Sequence, residues 1–216
     1  MQTIPSINCT DFACAEGEVK LASGFLPKGG WLHLDVADGV FTFHKSWSDP
    51  AKFKVLLSGS PQFSWEVHLM VERPETVAGT WLAAGAKRLI VPLETITPES
   101  AATILAAAKA HGALVMLSSN PETKSEALRP YLGTFSEFQV LAVTPGWSGQ
   151  QFLPIALDKV KFIRENRPDA VIEVDGGMNP GTAERVKALG ANQVIAASYV
   201  FDAADKKVAF HELEKV

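Results

Sequence analysis

Short apolar runs recur along the whole chain, each followed by a stretch with helix composition, and this alternation limits the fold more than any other feature. Strand candidates are Thr3–Ile7, Trp31–Asp35, Ser64–Met70, Arg88–Pro92, Ala113–Leu117, Phe138–Val143, Val171–Asp175 and Gln193–Ala197. The segments between them carry helix signals. Pro98 to Lys109 is rich in good helix formers and opens on Pro and Glu. Asn179 to Gly190 starts with an Asn cap and a Pro at the first helical position, then closes on Gly. Gly85 and Gly112 close two further segments, each just before a strand. Eight strands alternating with helices in 216 residues predict an α/β protein of the (β/α)8 TIM-barrel type, although such barrels usually need roughly 250 residues. A doubly wound open sheet is the rival architecture. No linker, charge run or low-complexity segment divides the chain, so residues 1–216 are expected to form a single domain.

Charge and composition remove several classes of function. A net charge of -4, with Lys and Arg scattered, argues against a nucleic-acid partner. The longest apolar stretch, around Ala101 to Leu117, is broken by Lys109 and His111, so no membrane-spanning helix is expected. The first residues lack a basic head followed by an apolar run, which argues against a signal peptide. Two cysteines, Cys9 and Cys14, are too few for a disulfide framework, and they point to a reducing, cytoplasmic setting with both as structural residues.

Polar residues on the apolar strands carry the functional signal. In Trp31-Leu-His-Leu-Asp-Val-Ala-Asp-Gly39, His33 and Asp35 fall on one face of a strand, while Leu32, Leu34 and Val36 fall on the other. A buried imidazole beside a buried carboxylate needs a partner, and a metal ion suits both. His68 sits between Val67 and Leu69 on another strand, and Asp175 ends a third. Active sites in this fold lie at the C-terminal ends of the strands, where these four residues fall. The expected ligand set is His33, Asp35, His68 and Asp175 around one divalent cation. Lacking a thiolate, it favours Zn, Fe(II), Mn or Co. Glu66 and Glu173 share these strands, and alternation is expected to turn them away from the site.

Six motifs in order then resemble those of the ribulose-phosphate 3-epimerase family. They are Pro5-Ser6-Ile7 with Asp11-Phe12, His33-Leu-Asp35-Val-Ala-Asp38-Gly39, Val67-His68-Leu-Met70-Val71, Val143-Thr-Pro145-Gly146-Trp-Ser-Gly149-Gln150 with Phe152, Ile172-Glu-Val-Asp175-Gly-Gly177, and Ala197-Ser198 with Phe201. The resemblance implies a ribulose-phosphate-binding type of barrel. It also implies an isomerase interconverting D-ribulose 5-phosphate and D-xylulose 5-phosphate, with a small ketose phosphate as partner. By that resemblance Asp35 removes the proton at C3 from one face and Asp175 returns one from the other, through an enediolate that the cation stabilises. Ser6 would bond a substrate hydroxyl, and Met70, beyond His68, would line the sugar site. The phosphate would meet main-chain N–H groups of Gly146, Ser148, Gly149, Gly176, Gly177, Ala197 and Ser198, since these loops hold no Lys or Arg. A bulky residue at Gly177 is expected to fill the space where the anion approaches. Trp147 either covers the substrate or packs. A homo-oligomer is compatible with the resemblance.

The chain also departs from the family pattern. Ala37 and Leu141 stand where methionines are usual, Thr144, Ser148 and Ala197 are further substitutions, and the segment Val40-Phe-Thr-Phe-His-Lys45 replaces the usual loop. His44 in that segment is expected to be solvated. These changes keep open a 3-epimerase of a hexulose phosphate such as allulose 6-phosphate, and a non-catalytic phosphometabolite-binding barrel. A decarboxylase of the related Asp-x-Lys-x-x-Asp type is excluded, because Ala37 occupies the lysine position.

Overall fold

The computed structural model describes residues 1–216. Eight parallel strands succeed one another in chain order and close into a barrel. They are β1 (Gln2–Ile7), β2 (Trp31–Ala37), β3 (Ser64–Met70), β4 (Arg88–Pro92), β5 (Leu114–Ser119), β6 (Glu137–Leu141), β7 (Val171–Asp175) and β8 (Gln193–Ala196). The helices are α1 (Phe12–Ala22), α2 (Pro50–Gly59), α3 (Pro74–Ala84), α4 (Pro98–Ala110), α5 (Ile155–Asn166), α6 (Pro180–Ala188), the short α7 (Ser198–Phe201) and α8 (Lys206–Glu214). The expected barrel is therefore present and the open sheet is not. One connection departs from strict alternation. Between β5 and β6 the chain forms a 3-10 helix, Ser125–Tyr131, with Pro130 inside it, where an α-helix would lose a backbone hydrogen bond.

Helix starts reflect the chemistry of their caps. Asp49 accepts from the N–H groups of Ala51 and Lys52 ahead of α2. Thr97 with Ser100 and Asn179 with Thr182 form reciprocal capping boxes, each with a proline in the first turn. Gly85 ends α3 at φ 115°, a backbone conformation that an L side chain resists.

Contacts divide the chain into two compact units, Pro5–Val115 and Met1–Ile4 with Met116–Val216. In the first unit, Leu32, Leu34, Trp65, Val67 and Leu69 alternate with the polar face of β2 and β3 and are buried. Phe53 of α2 seals that layer, with its ring 5.4 Å from both Trp65 and Trp81. Truncating such a ring costs about 3–5 kcal/mol. In the second unit, Phe138, Val140, Ile172, Val174 and Val194 form the corresponding buried faces, with Ala156, Val160 and Ile163 of α5 also buried. No helix is long and apolar enough to cross a membrane.

Cys9 and Cys14 are joined in a disulfide with their Cα atoms 5.8 Å apart. The inference of a reducing setting from these two cysteines thus loses its premise. A pair five residues apart can close when one member ends a loop and the other starts a helix. Asp11 provides that geometry by capping α1 through the Cys14 N–H.

Candidate active site

The strand register sets side chains of β2, β3 and β4 in rows. His33 lies beside Glu66, and Glu66 beside Arg88. One step further along, Asp35 lies beside His68, and His68 beside Ile90. His33, Glu66, His68 and Arg88 are all buried, and Asp35 is nearly so. The two rows meet at Asp35, where His33 Nε2 is 3.2 Å and His68 Nδ1 3.4 Å from the same oxygen, Asp35 Oδ1. The other oxygen, Asp35 Oδ2, accepts from Ser6 Oγ at 2.9 Å. The two imidazole rings meet edge to face with centroids 5.6 Å apart.

Glu66 corrects an expectation. Residues 66 and 68 are two apart on one strand and share a face, so alternation brings Glu66 inward, one row below His68. Its Oε1 lies 2.7 Å from His33 Nδ1, and its Oε2 accepts from the Arg88 guanidinium at 2.6 Å. The same period places Glu173 on the face of Asp175, where Gln139 Nε2 donates to Glu173 Oε1 at 3.0 Å. Arg88 is not among the residues that the sequence points to. Its one local signal is that of a lone cation opening an otherwise apolar strand.

The packing sets the charge of each group. Burial disfavours the imidazolium of His33, yet Asp35 and Glu66 at its two nitrogens outweigh burial and hold its pKa well above the ordinary value. Asp35 shows the converse. Burial opposes its charge, but His33 and then His68 hold its carboxyl well below the carboxylate range, so it is ionised at neutral pH. Burial pushes the His68 pKa down, leaving a neutral ring with a lone pair to offer. His33, Asp35 and His68 each present one donor atom within 4.8 Å of the others. Neutral imidazole nitrogen and carboxylate oxygen are ligands that suit a divalent transition ion, so these residues fit one. Such an ion would displace the proton from His33 Nε2.

Around this cluster, Met70 is buried at the end of β3 on the face of His68. The divergent loop after β2 folds back instead of opening to solvent. Ser46 Oγ donates to Asp35 O and accepts the Ala37 N–H, and residues 38 and 45 form an antiparallel bridge. His44 is buried as a result, which corrects the expectation that it is solvated, while Phe43 stands fully exposed.

The second unit carries Asp175 at the end of β7, half-buried, and the glycine loops. Gly149, Gly177 and Ser198 line one cavity of about 680 Å³, together with Gln150, Thr182 and Arg185. Gly146, Ser148, Gly176 and Ala197 neighbour these residues in sequence without lining that cavity. Trp147 is 64% exposed. Gln150 Nε2 pins its loop by donating to Thr144 O and Trp147 O. Gly177 has φ 66°, and a Cβ there would lie 2.5 Å from the Phe152 nitrogen. The glycine is thus required by the chain's own close approach. Arg185, three residues beyond Thr182 on α6, stacks over Phe152 at 5.3 Å and puts a cation on the cavity wall. It lies outside the glycine loops, so the loop motifs give no sign of it.

With this geometry in place, comparisons extend over nearly the whole molecule. Residues 2–201 match the Ribulose-phosphate 3 epimerase family. The ribulose-phosphate 3-epimerase of Schizosaccharomyces pombe is 33% identical, over 92% of this chain and 86% of its own. That of Mycobacterium tuberculosis is 31% identical, over 98% and 90%. In structure, the 3-hexulose-6-phosphate synthase of Salmonella typhimurium aligns at a TM-score of 0.77 with 15% identity, over 100% of this chain and 97% of that one. The orotidine 5'-phosphate decarboxylase of Pyrococcus horikoshii aligns at 0.69 with 11% identity, over 100% of both, and at such identities the likeness is one of fold. The six ordered motifs, the strand-end cluster and these matches agree, and the chain belongs to the ribulose-phosphate 3-epimerase family.

Proposed function

We propose that this chain is an isomerase that interconverts D-ribulose 5-phosphate and D-xylulose 5-phosphate by inverting C3. The observation that carries the reading is the approach of two buried imidazole nitrogens to Asp35 Oδ1, in a chain matching the family over residues 2–201. His33, Asp35 and His68 would hold a divalent cation, with Asp175 as the fourth ligand. Zn, Fe(II), Mn and Co all suit that donor set. When bound, the ion supplies electrostatic stabilisation for the negative charge that develops on the sugar oxygens.

The residues of the chain do the proton work. Asp35 is anchored on both oxygens, by the two histidines on one and by Ser6 on the other, and this fixes it in place to accept the C3 proton. Asp175 delivers a proton to the opposite face, and the two exchange roles in reverse. Ser6 orients Asp35 and meets a substrate hydroxyl, and Met70 supplies apolar lining. The phosphate would sit against main-chain N–H groups of the loops carrying Gly149, Gly177 and Ser198, with Arg185 near the anion. The remaining loop residues, Gly146, Trp147, Ser148, Gly176 and Ala197, would shape that approach. A cytosolic location belongs to the same reading, in line with the rice relative named as a cytoplasmic isoform.

Purified protein assayed with ketopentose and ketohexose phosphates, before and after chelation, tests the reading. Turnover of the pentulose pair, lost on chelation and restored by metal, is expected. Selective turnover of a hexulose phosphate would instead trace to the altered loop Val40–Lys45. A stoichiometric metal retained in a His33→Ala, His68→Ala variant would contradict the ligand set.

A further inference from the structure

Beneath the metal-binding row lies a second buried polar row, His33–Glu66–Arg88, one residue from each of β2, β3 and β4 in direct register. Each oxygen of Glu66 has a separate partner, with Oε1 at 2.7 Å from His33 Nδ1 and Oε2 at 2.6 Å from the Arg88 guanidinium. The guanidinium in turn lies over the Trp31 ring at 4.6 Å, which fixes its plane. Glu66 is completely buried and Arg88 is 3% exposed.

Stability alone does not account for such a row. Apolar side chains of similar volume commonly hold a strand layer as well as, or better than, a buried ion pair. The row does have a use at its other end. An imidazole offers one nitrogen as a ligand and the other as a donor, and which is which is set by the hydrogen bond the second nitrogen makes. Glu66 accepts the Nδ1–H, so His33 must present Nε2, the nitrogen that faces Asp35. The Arg88 guanidinium pairs with the other oxygen of Glu66 at 2.6 Å, holding the carboxyl group in the orientation that meets His33.

We propose that Glu66 and Arg88 form a positioning pair that fixes the tautomer and ring orientation of His33 and thereby sets the affinity of the site for its metal. The proposal rests on the reading of His33, Asp35 and His68 as metal ligands. Neither Glu66 nor Arg88 is given a catalytic role, since both lie one row below Asp35 and His68.

Zinc titration against a competing chromophoric chelator, at fixed pH on the full chain, tests the pair. Glu66→Gln alone removes one charge of a buried ion pair and is prone to misfold, so the decisive variant is Glu66→Gln with Arg88→Met, which removes both charges together. With folding verified by circular dichroism, zinc affinity is expected to fall about 10- to 100-fold. His68→Ala serves as the control that loses a ligand outright. A folded double variant that binds zinc within about twofold of the unaltered protein, while His68→Ala loses it, would overturn the positioning role and leave the metal site standing. Zinc bound no more tightly by the unaltered protein than by His68→Ala would overturn the metal reading, and the proposal with it. Nitrogen-15 NMR of the zinc-loaded unaltered protein adds a readout that needs no variant. Nδ1 of His33 should carry the proton, and the opposite tautomer would contradict the proposal.

Discussion

The two units of the chain solve the same problem, chemistry at the ends of strands, by opposite means. Across β2, β3 and β4, Glu66 and Arg88 are ion-paired beneath His33, and Asp35 lies between two histidines. Across β6, β7 and β8 the corresponding rows are Gln139–Glu173–Gln193 and Leu141–Asp175–Ile195, a single carboxylate in each among amides and apolar groups. Beyond the ends of β6 and β7 the main chain bends to positive φ, at Gly146, Gly149, Gly176 and Gly177. On the proposed reading the first unit works through the side chains it presents, whereas the second adds to Asp175 a set of loops that depend on where a side chain is absent. Substitutions should therefore act by losing an atom in one and by gaining an atom in the other.

Asp35→Asn should show the largest effect. It keeps the volume and one acceptor oxygen but removes the negative charge that faces both His33 and His68. Turnover is expected to fall by about 10²- to 10⁴-fold, the usual worth of a general base, with the far-ultraviolet spectrum unchanged. A variant retaining a tenth of the activity would remove Asp35 from its role.

Gly177→Ala comes next and tests the other half of the comparison. One added Cβ meets the Phe152 backbone at 2.5 Å and sits at φ 66°. A loss of about 1–3 kcal/mol in urea unfolding is expected, with a raised KM for the phosphosugar. Unchanged stability with a raised KM would restore the simpler reading, in which the glycine only makes room for the anion.

The smallest effect concerns Asp38, which holds the divergent loop by accepting N–H groups from Val40, Phe41 and Glu72 at 2.7, 2.9 and 2.8 Å. Partial burial pushes its pKa up, but these bonds prevail and hold it below the ordinary value. A carboxyl lowered on folding adds stability above its unfolded pKa of about 3.9, and that contribution is lost as pH falls through the folded value. Asp38→Asn should therefore lower the urea midpoint slightly at neutral pH, with the difference closing in acid. A difference independent of pH would assign the loop's hold to geometry and not to charge.

Much of this arrangement is legible in the sequence, because periodicity is local. The strands Ser64–Met70, Arg88–Pro92 and Val171–Asp175 have the bounds that their apolar patterns predict. His33, Asp35 and His68 announce themselves as polar residues on apolar strands. Glu66 is equally visible, and period two applied consistently places it beneath His68. Other features are non-local. Arg88 finds its partner only through the register of β3 with β4, and the Phe152 contact that demands Gly177 comes from a different loop. The buried His44 depends on Ser46 reaching the backbone of β2, and the Cys9–Cys14 bond on the cap that Asp11 makes.

The central proposal is that Asp35 and Asp175 act on opposite faces of one carbon. Incubating the metal-loaded protein with D-ribulose 5-phosphate in deuterium oxide and following the product by NMR tests it directly. The two-carboxylate route predicts D-xylulose 5-phosphate carrying deuterium at C3, because one group removes the proton and another, equilibrated with solvent, supplies its replacement. Product that is epimerised but retains its original C3 hydrogen would contradict that route, and so would the absence of any xylulose phosphate.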